Sequence, residues 1–374
     1  MLYATDSTRD LVFITVTLEA SADDPVFNAF HQLANYLNSR NAVLLQERIF
    51  ASTSEFARIQ AQRAKAFEGL GDAVAVEPTY IDGADCEGAP LAGIHALATC
   101  PKSDKDAPLV MHEGRAIGRF VHGREAEYCL LSDVSAWTGQ DEQNPCRETT
   151  QAIQFANDCL QRHQWSYKDV RRTWFYLDNI LDWYDDFNAA RNILYSELGV
   201  LNGKANSMIP ASTGIMGSNA KGHRCTLDLL AARPQGAKCF YVERLVNNKQ
   251  NEATDYGSAF SRGMAVNTEV GRYMFISGTA SIDEDGRTVH LDDSEAQIRR
   301  TMLNVKVLLE SVNADLSHIC RATVFMKYAK DLPLFRSIAA EFGFPDIPLV
   351  CTVADVCRDD LLFEIDASAI LNWV

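Results

Sequence analysis

The chain has 374 residues, 47% of them hydrophobic, and 35 basic against 50 acidic side chains give a net charge of −15. That length is about two to three times an ordinary domain, so more than one domain is expected, and the acidic balance offers no basic stripe to a nucleic acid. No window reaches the length of a membrane span, the start lacks the pattern of a secretory leader, and the ten cysteines are scattered without a CxxC spacing. A soluble cytoplasmic protein is therefore expected, with no membrane partner, reduced thiols, and neither a disulfide framework nor a zinc site.

In chain order, a β-rich stretch at 10–21 (DLVFITVTLEAS) precedes an amphipathic helix and second β-rich run within 30–52 (FHQLANYLNSRNAVLLQERIFAS). A helix at 54–70 and a strand at 91–100 (LAGIHALATC) follow. After the polar linker 100–108 the same order returns: β-rich 126–137, helix and run within 152–177, helix 182–199, strand 225–234 (CTLDLLAARP). Beyond the linker 232–238 it returns again: β-rich 272–282, helix and run within 301–326, helix 332–343, strand 361–370 (LLFEIDASAI). In each copy apolar residues at i, i+3, i+4 and i+7 end in a leucine (Leu37, Leu160, Leu309), and an arginine opens the run eleven or twelve residues later (Arg48, Arg172, Arg321). The expected architecture is α+β, with three tandem units at 1–103, 109–234 and 238–374, each a mixed sheet with helices on one face.

One residue breaks the pattern. Glu364 lies between Leu362, Phe363 and Ile365, where a carboxylate costs several kcal/mol to bury unless it is paired, protonated or used. Period-two alternation puts it on one face with Leu362 and Asp366, opposite Phe363 and Ile365. Units one and two have no glutamate at the centre of that strand. By patterning alone Glu364 reads as a rim glutamate paired with an arginine.

In the third unit, SGTASID (277–283), FPDIPLV (344–350) and VADVCRDDLLFEIDASAI (353–370) resemble the RidA family, whose small subunits form trimers with ligand sites in the clefts between neighbours. The resemblance extends less closely to the second and first units, and it implies a fused pseudo-trimer whose three clefts are no longer equivalent, so that one can specialise. A narrower resemblance rests on five motifs in order: RRTWFYLDNILDWYDDFNAARN (171–192), PASTGI (210–215), FSRGMAV (260–266), FMK (325–327) and the strand with Glu364. Together these are similar to the chorismatases, which remove pyruvate from chorismate.

That resemblance implies a role for Glu364. Cleaving the enolpyruvyl ether requires protonation of its methylene carbon, and a carboxyl in an apolar pocket holds a proton at neutral pH and still releases it. Two substrate carboxylates need local cations or amides in an acidic protein. Arg262 is the first candidate anchor; Thr213 with the amides of Gly214 and Ile215, read as a Pro/Gly turn, is a small anion cradle. Lys327 is either a further cation or an ordinary surface one. Tyr176 either faces the same cleft or packs in the core, and Arg172 and Arg191 either reach the substrate or pair with Asp185 or Asp186. A site of this kind lies between units two and three, the other two clefts being structural or vestigial.

Gly263 and Cys357 are what the resemblance ties to the product. In the branch that aromatises the ring to 3-hydroxybenzoate, a glycine follows the FSR arginine and a cysteine lies seven residues before the glutamate. Gly263 would leave room beside the ring and Cys357 would hold or relay a proton. The alternatives are hydrolysis to a dihydroxycyclohexadiene carboxylate, or mixed 3- and 4-hydroxybenzoate. An imine deaminase of the RidA type is disfavoured because its carboxylate-binding arginine falls at Val350; a non-catalytic metabolite-binding protein is the rival of another class. No cofactor or metal is implied, the eight histidines showing no ligand spacing. Three units closing on themselves make a monomer the simplest state, with further association open.

Overall fold

The computed structural model describes residues 1–6, 8–135, 144–202, 208–236 and 239–373. Positions 136 and 137 of the second β-rich stretch, 237 and 238 of the second linker, and residue 374 lie outside the described residues.

Unit one contains β1 (Leu2–Ala4), β2 (Val12–Val16), α1 (Pro25–Arg40), β3 (Val43–Ala51), α2 (Phe56–Ala66), β4 (Thr79–Asp82) and β5 (Gly93–Thr99), with sheet order β1-β2-β5-β3-β4. Unit two contains β6 (Leu109–His112), β7 (Arg115–His122), β8 (Glu127–Ser135), α3 (Pro145–Arg162), β9 (Val170–Leu177), α4 (Tyr184–Glu197), β10 (Ala211–Met216) and β11 (Cys225–Arg233), in the order β10-β9-β11-β8-β7-β6. Unit three contains β12 (Tyr241–Arg244), β13 (Gly263–Asn267), β14 (Gly271–Ala280), α5 (Ser294–Glu310), β15 (Ile319–Met326), α6 (Leu332–Glu341), β16 (Val350–Val353) and β17 (Phe363–Asn372), in the order β12-β13-β14-β17-β15-β16. One topology is thus written three times, and in each copy the pair corresponding to β15 and β16 is parallel while the closing strand is antiparallel to both neighbours.

The long helices start where the sequence supplies a cap. Asp24, Asn144 and Asp293 accept hydrogen bonds from the backbone N–H groups of Phe27, Arg147 and Ala296, occupying donors that the first turn leaves open. Their apolar stripes, including Leu37, Leu160 and Leu309, are buried against the outer faces of the sheets. The other faces of the three sheets meet each other in one central core that includes Phe13, Phe50, Tyr128, Trp174, Tyr273 and Phe325.

The three arginines singled out by the repeat converge there. The Arg48 and Arg172 guanidiniums lie 3.7 and 4.5 Å from the centroid of the Trp174 ring, and Arg321 lies 5.7 Å from it. Arg48 pairs with Asp228 at 3.6 Å and Arg172 with Asp366 at 2.9 Å. Burial lowers Arg172 to about 10; burial, with Arg48 nearby, lowers Arg321 to about 9.

Candidate active site

A cavity opens between units two and three, lined by Tyr184 and Arg191 of α4, Ser212 and Gly214 of β10, Phe260 and Arg262 before β13, Gly278 and Ala280 of β14, Ile282, Cys357, Arg358, Leu361 and Glu364. Its interior leaves about 40 Å³ for the centres of water-sized molecules, within about 500 Å³ of empty space that includes the mouth.

Glu364 sits on β17 between Ala280 of β14 and Phe325 of β15. Alternation operates as the sequence implies: Phe363 and Ile365 turn toward the helices, while Glu364 and Asp366 turn inward. The Glu364 side chain is buried and its Oε1 makes no hydrogen bond among the described residues. Burial, and then the neighbouring Asp366, raise its pKa to about 8 against the opposing pull of Arg172 and Arg262. A rim glutamate paired with an arginine is therefore not what β17 carries.

Space for this carboxyl comes from Gly278. β14 bulges between Ile276 and Thr279 where it faces β17, and a Cβ at Gly278 would lie 2.3 Å from Glu364 Oε1. Ser277 in the same bulge accepts a hydrogen bond from the Ser212 N–H and donates one to the Ser261 carbonyl, tying β10 to β14.

Two guanidiniums flank the cavity. Arg262 donates from Nε and Nη2 to the Asn251 carbonyl at 2.9 and 2.6 Å, and it lies 5.3 Å from the centroid of Phe260. Arg191 lies 5.7 Å from the same ring and 4.8 Å from Phe187, donating from Nη2 to Asn188; its buried Nε has no partner among the described residues. Neither Arg172 nor Arg191 pairs with Asp185 or Asp186. Cys357 lines the cavity beside Glu364 and accepts a hydrogen bond from Tyr184; burial pushes its thiol up to about 12, so it is a thiol at neutral pH.

Several sequence expectations are corrected by the strand geometry. PASTGI forms β10, an edge strand parallel to β9, rather than a turn. Ser212 and Gly214 face the cavity; Thr213 turns the other way, donating to Asp366 and accepting from Arg172, and Ile215 is buried in the core. The N–H groups of Ser212 and Met216 point outward to Ser277 Oγ and the Asp355 carbonyl. By period two the Gly214 N–H points the same way, whereas that of Ile215 faces β9.

Arg172 stands behind the cavity, on Thr213 and Asp366. Tyr176 packs 6.3 Å from Phe50 beside Arg48, away from the cleft. Lys327 lies outside the cavity and pairs with Asp359 at 2.6 Å, because it follows the end of β15. Gly263 does not line the cavity: a Cβ there would lie 3.0 Å from Leu245 and 3.1 Å from the Phe275 carbonyl oxygen. Gly278, within SGTASID, and Tyr184, within the motif at 171–192, carry no local sequence signal of a role at the site. The pairing of β14 with β17 within unit three reveals the first, and contacts across the unit boundary reveal the second.

The two remaining clefts differ. Between units one and two, β8 carries a matching bulge facing β11, and register puts Asp133 where unit three has Gly278 and Thr226 where it has Glu364. Asp133 pairs with Lys221 and Arg115, and Arg115 also holds Glu77, so ion pairs fill that cleft. Between units three and one, a broad, mostly apolar groove of about 1170 Å³ by the same measure runs between α6 and the β1–β2–β5 side; there Leu91 precedes β5 and no buried acid faces the space.

Residues 253–371 match the family model described as Endoribonuclease L-PSP. A RutC family protein of Sulfurisphaera tokodaii is 30% identical over 26% of this chain and 78% of its own length. The chain belongs to the RutC family. It is also similar to a 3-hydroxybenzoate synthase of Streptomyces hygroscopicus, 26% identical over 54% of this chain and 64% of that protein, so the match spans under two thirds of the relative. The whole RidA-like, three-unit fold matches a chorismatase crystal structure with a TM-score of 0.64, at 20% identity, covering 87% of this chain and 93% of the other. Among the described residues no helix is long and apolar enough to cross a membrane.

Proposed function

We propose that this RutC family member is a chorismatase that releases pyruvate and 3-hydroxybenzoate from chorismate. The observation that carries the reading is Glu364: a buried carboxyl with pKa raised to about 8, one oxygen unengaged, facing a cavity flanked by two buried arginines. A group of this kind is protonated at neutral pH and is a competent acid toward the methylene carbon of a vinyl ether. Protonation there produces an oxocarbenium ion; the ring carbon–oxygen bond then breaks, pyruvate leaves with its electron pair, and the ring proton lost on aromatisation returns to the Glu364 carboxylate. Chorismate minus pyruvate is a hydroxybenzoate, with no water consumed; the hydrolytic outcome would take up one water.

Arg262 and Arg191 serve as the carboxylate anchors, helped by the outward N–H of Gly214. Cys357, a thiol rather than a thiolate, offers a proton donor beside the ring during rearrangement. The name of the Streptomyces relative favours 3-hydroxybenzoate over the alternative products. Because the interior is tight, a ring-sized substrate requires lining side chains to yield. With units at 1–103, 109–234 and 238–374 supplying each other's cleft partners, a cytoplasmic monomer needing no cofactor is the simplest working form.

The experiment is to incubate the purified protein with chorismate, assay pyruvate and resolve the ring product by chromatography, with Glu364→Gln as control. Pyruvate with 3-hydroxybenzoate, lost in the variant, is the expected result; a diene diol would move the protein to the hydrolytic branch, and no pyruvate would reject the activity.

A further inference from the structure

Two inward-facing carboxyls stand two residues apart on β17, and their surroundings are opposite. Glu364 Oε1 has no hydrogen-bond partner among the described residues, whereas Asp366 Oδ2 accepts from Arg172 Nη2 at 2.9 Å, Thr213 Oγ1 at 2.9 Å and Trp174 Nε1 at 3.0 Å. Every one of those donors belongs to unit two. Three donors on one oxygen, one of them the Arg172 guanidinium, commit that oxygen to accepting.

We propose that Asp366 is a positioning residue: pinned by unit two as a fixed negative charge on the same strand face, it keeps the proton on Glu364 until substrate is bound. This rests on Glu364 being the acid of the proposed reaction. Placing two negative charges this close on a buried face is unfavourable, so the unpinned carboxyl retains its proton.

The other groups facing Glu364 are Arg172 from β9, Tyr184 and Arg191 from α4, Arg262 from the segment before β13, and Cys357 and Arg358 from the segment before β17. Arg172 is already engaged by Asp366, and Cys357 is a thiol. Arg172 and Arg262 both pull toward the ionised form, and of the two Arg262 is the one that lines the cavity, where a substrate reaches it. A substrate carboxylate arriving on Arg262 cancels its pull, so binding itself firms the proton on Glu364 just before it is needed. Asp366 thereby links assembly of the two units to the state of the acid, since all three donors on its Oδ2 come from β9 and β10.

The test follows the carboxyl directly. Protein labelled with ¹³C at the glutamate side-chain carboxyl is titrated by NMR, the Glu364 signal being assigned by its absence in Glu364→Gln. Asp366→Asn should lower the Glu364 midpoint by about one pH unit or more, whereas Thr213→Val, which leaves the charge in place, should move it by a few tenths at most. An unchanged midpoint in Asp366→Asn, or an equal shift in Thr213→Val, overturns the proposal. Should Asp366→Asn fail to fold, a wild-type midpoint in the ordinary range near 4.5 overturns it as well, and a high midpoint retained in Thr213→Val supports it. Turnover plays no part in this readout, so absence of pyruvate in the chorismate assay would reject the activity without touching the charge relationship.

Discussion

Gly278 and Glu364 occupy the same space in turn: where a Cβ would stand on Gly278, Oε1 of Glu364 lies 2.3 Å away. The conflict involves the tip of one side chain and no backbone atom of β17. Gly278→Ala should therefore fold with little loss of stability, but it displaces the carboxyl by a fraction of an ångström to an ångström. A fall in kcat of about 100-fold is expected, with Tm within a few degrees of wild type. Steady-state kinetics beside a melting curve decide it; a large drop in Tm with normal kcat would show that the glycine serves packing alone.

Glu364→Gln should cut pyruvate release by about 10²–10⁴-fold, since the amide cannot donate a proton to carbon. In the wild type, kcat is expected to fall as pH rises through about 8, the value to which burial and Asp366 raise this carboxyl.

The same shift governs stability. The folded protein holds the Glu364 proton more tightly than the unfolded chain, so its contribution is fully present below about pH 4.5 and is lost as pH rises toward about 8. Melting temperatures of wild type and Glu364→Gln across this range should diverge in favour of the variant, with the gap growing from pH 4.5 to 8 and level beyond. A constant gap would contradict a raised pKa.

Arg191→Met and Arg262→Met should each raise KM for chorismate by about 30-fold or more, the effect of removing one partner of a buried charge contact. Lysine should rescue neither fully, because both guanidiniums lie near the Phe260 ring, where a planar head is accommodated and a compact ammonium is not.

Lys327→Ala is expected to leave kcat/KM within about twofold, because its ammonium is engaged by the exposed Asp359 outside the cavity. A tenfold loss would return Lys327 to the site.

What the sequence disclosed and what it withheld follow from locality. The Leu-to-Arg spacing was legible because helix period and strand opening are both short-range, and Glu364 stood out because a carboxyl in an apolar run has few innocent explanations. PASTGI misled because proline and glycine suggest a turn, while an edge strand tolerates both; once it is a strand, alternation sends Thr213 away from the cavity and brings Ser212 and Gly214 into it. The room that Gly263 suggests is filled by Leu245, and Gly278 is silent in the sequence because the atom it accommodates arrives from β17. For Arg191 the sequence leaves substrate contact and pairing with Asp185 or Asp186 equally open, because its place beside Phe260 depends on a segment of the next unit.

The axis of the molecule also sets an order of events. Arg48 of unit one finds its carboxylate, Asp228, in unit two; Arg172 of unit two finds Asp366 in unit three, on the last strand of the fold. During synthesis from the N-terminus units one and two thus emerge carrying a charge whose counter-ion has not yet been made. The interior settles only when β17 is delivered, and the strand that completes the fold is the one that brings in the acid. A chain cut short of β17 would lack both at once, so an incompletely made protein has no route to a folded state with a working site.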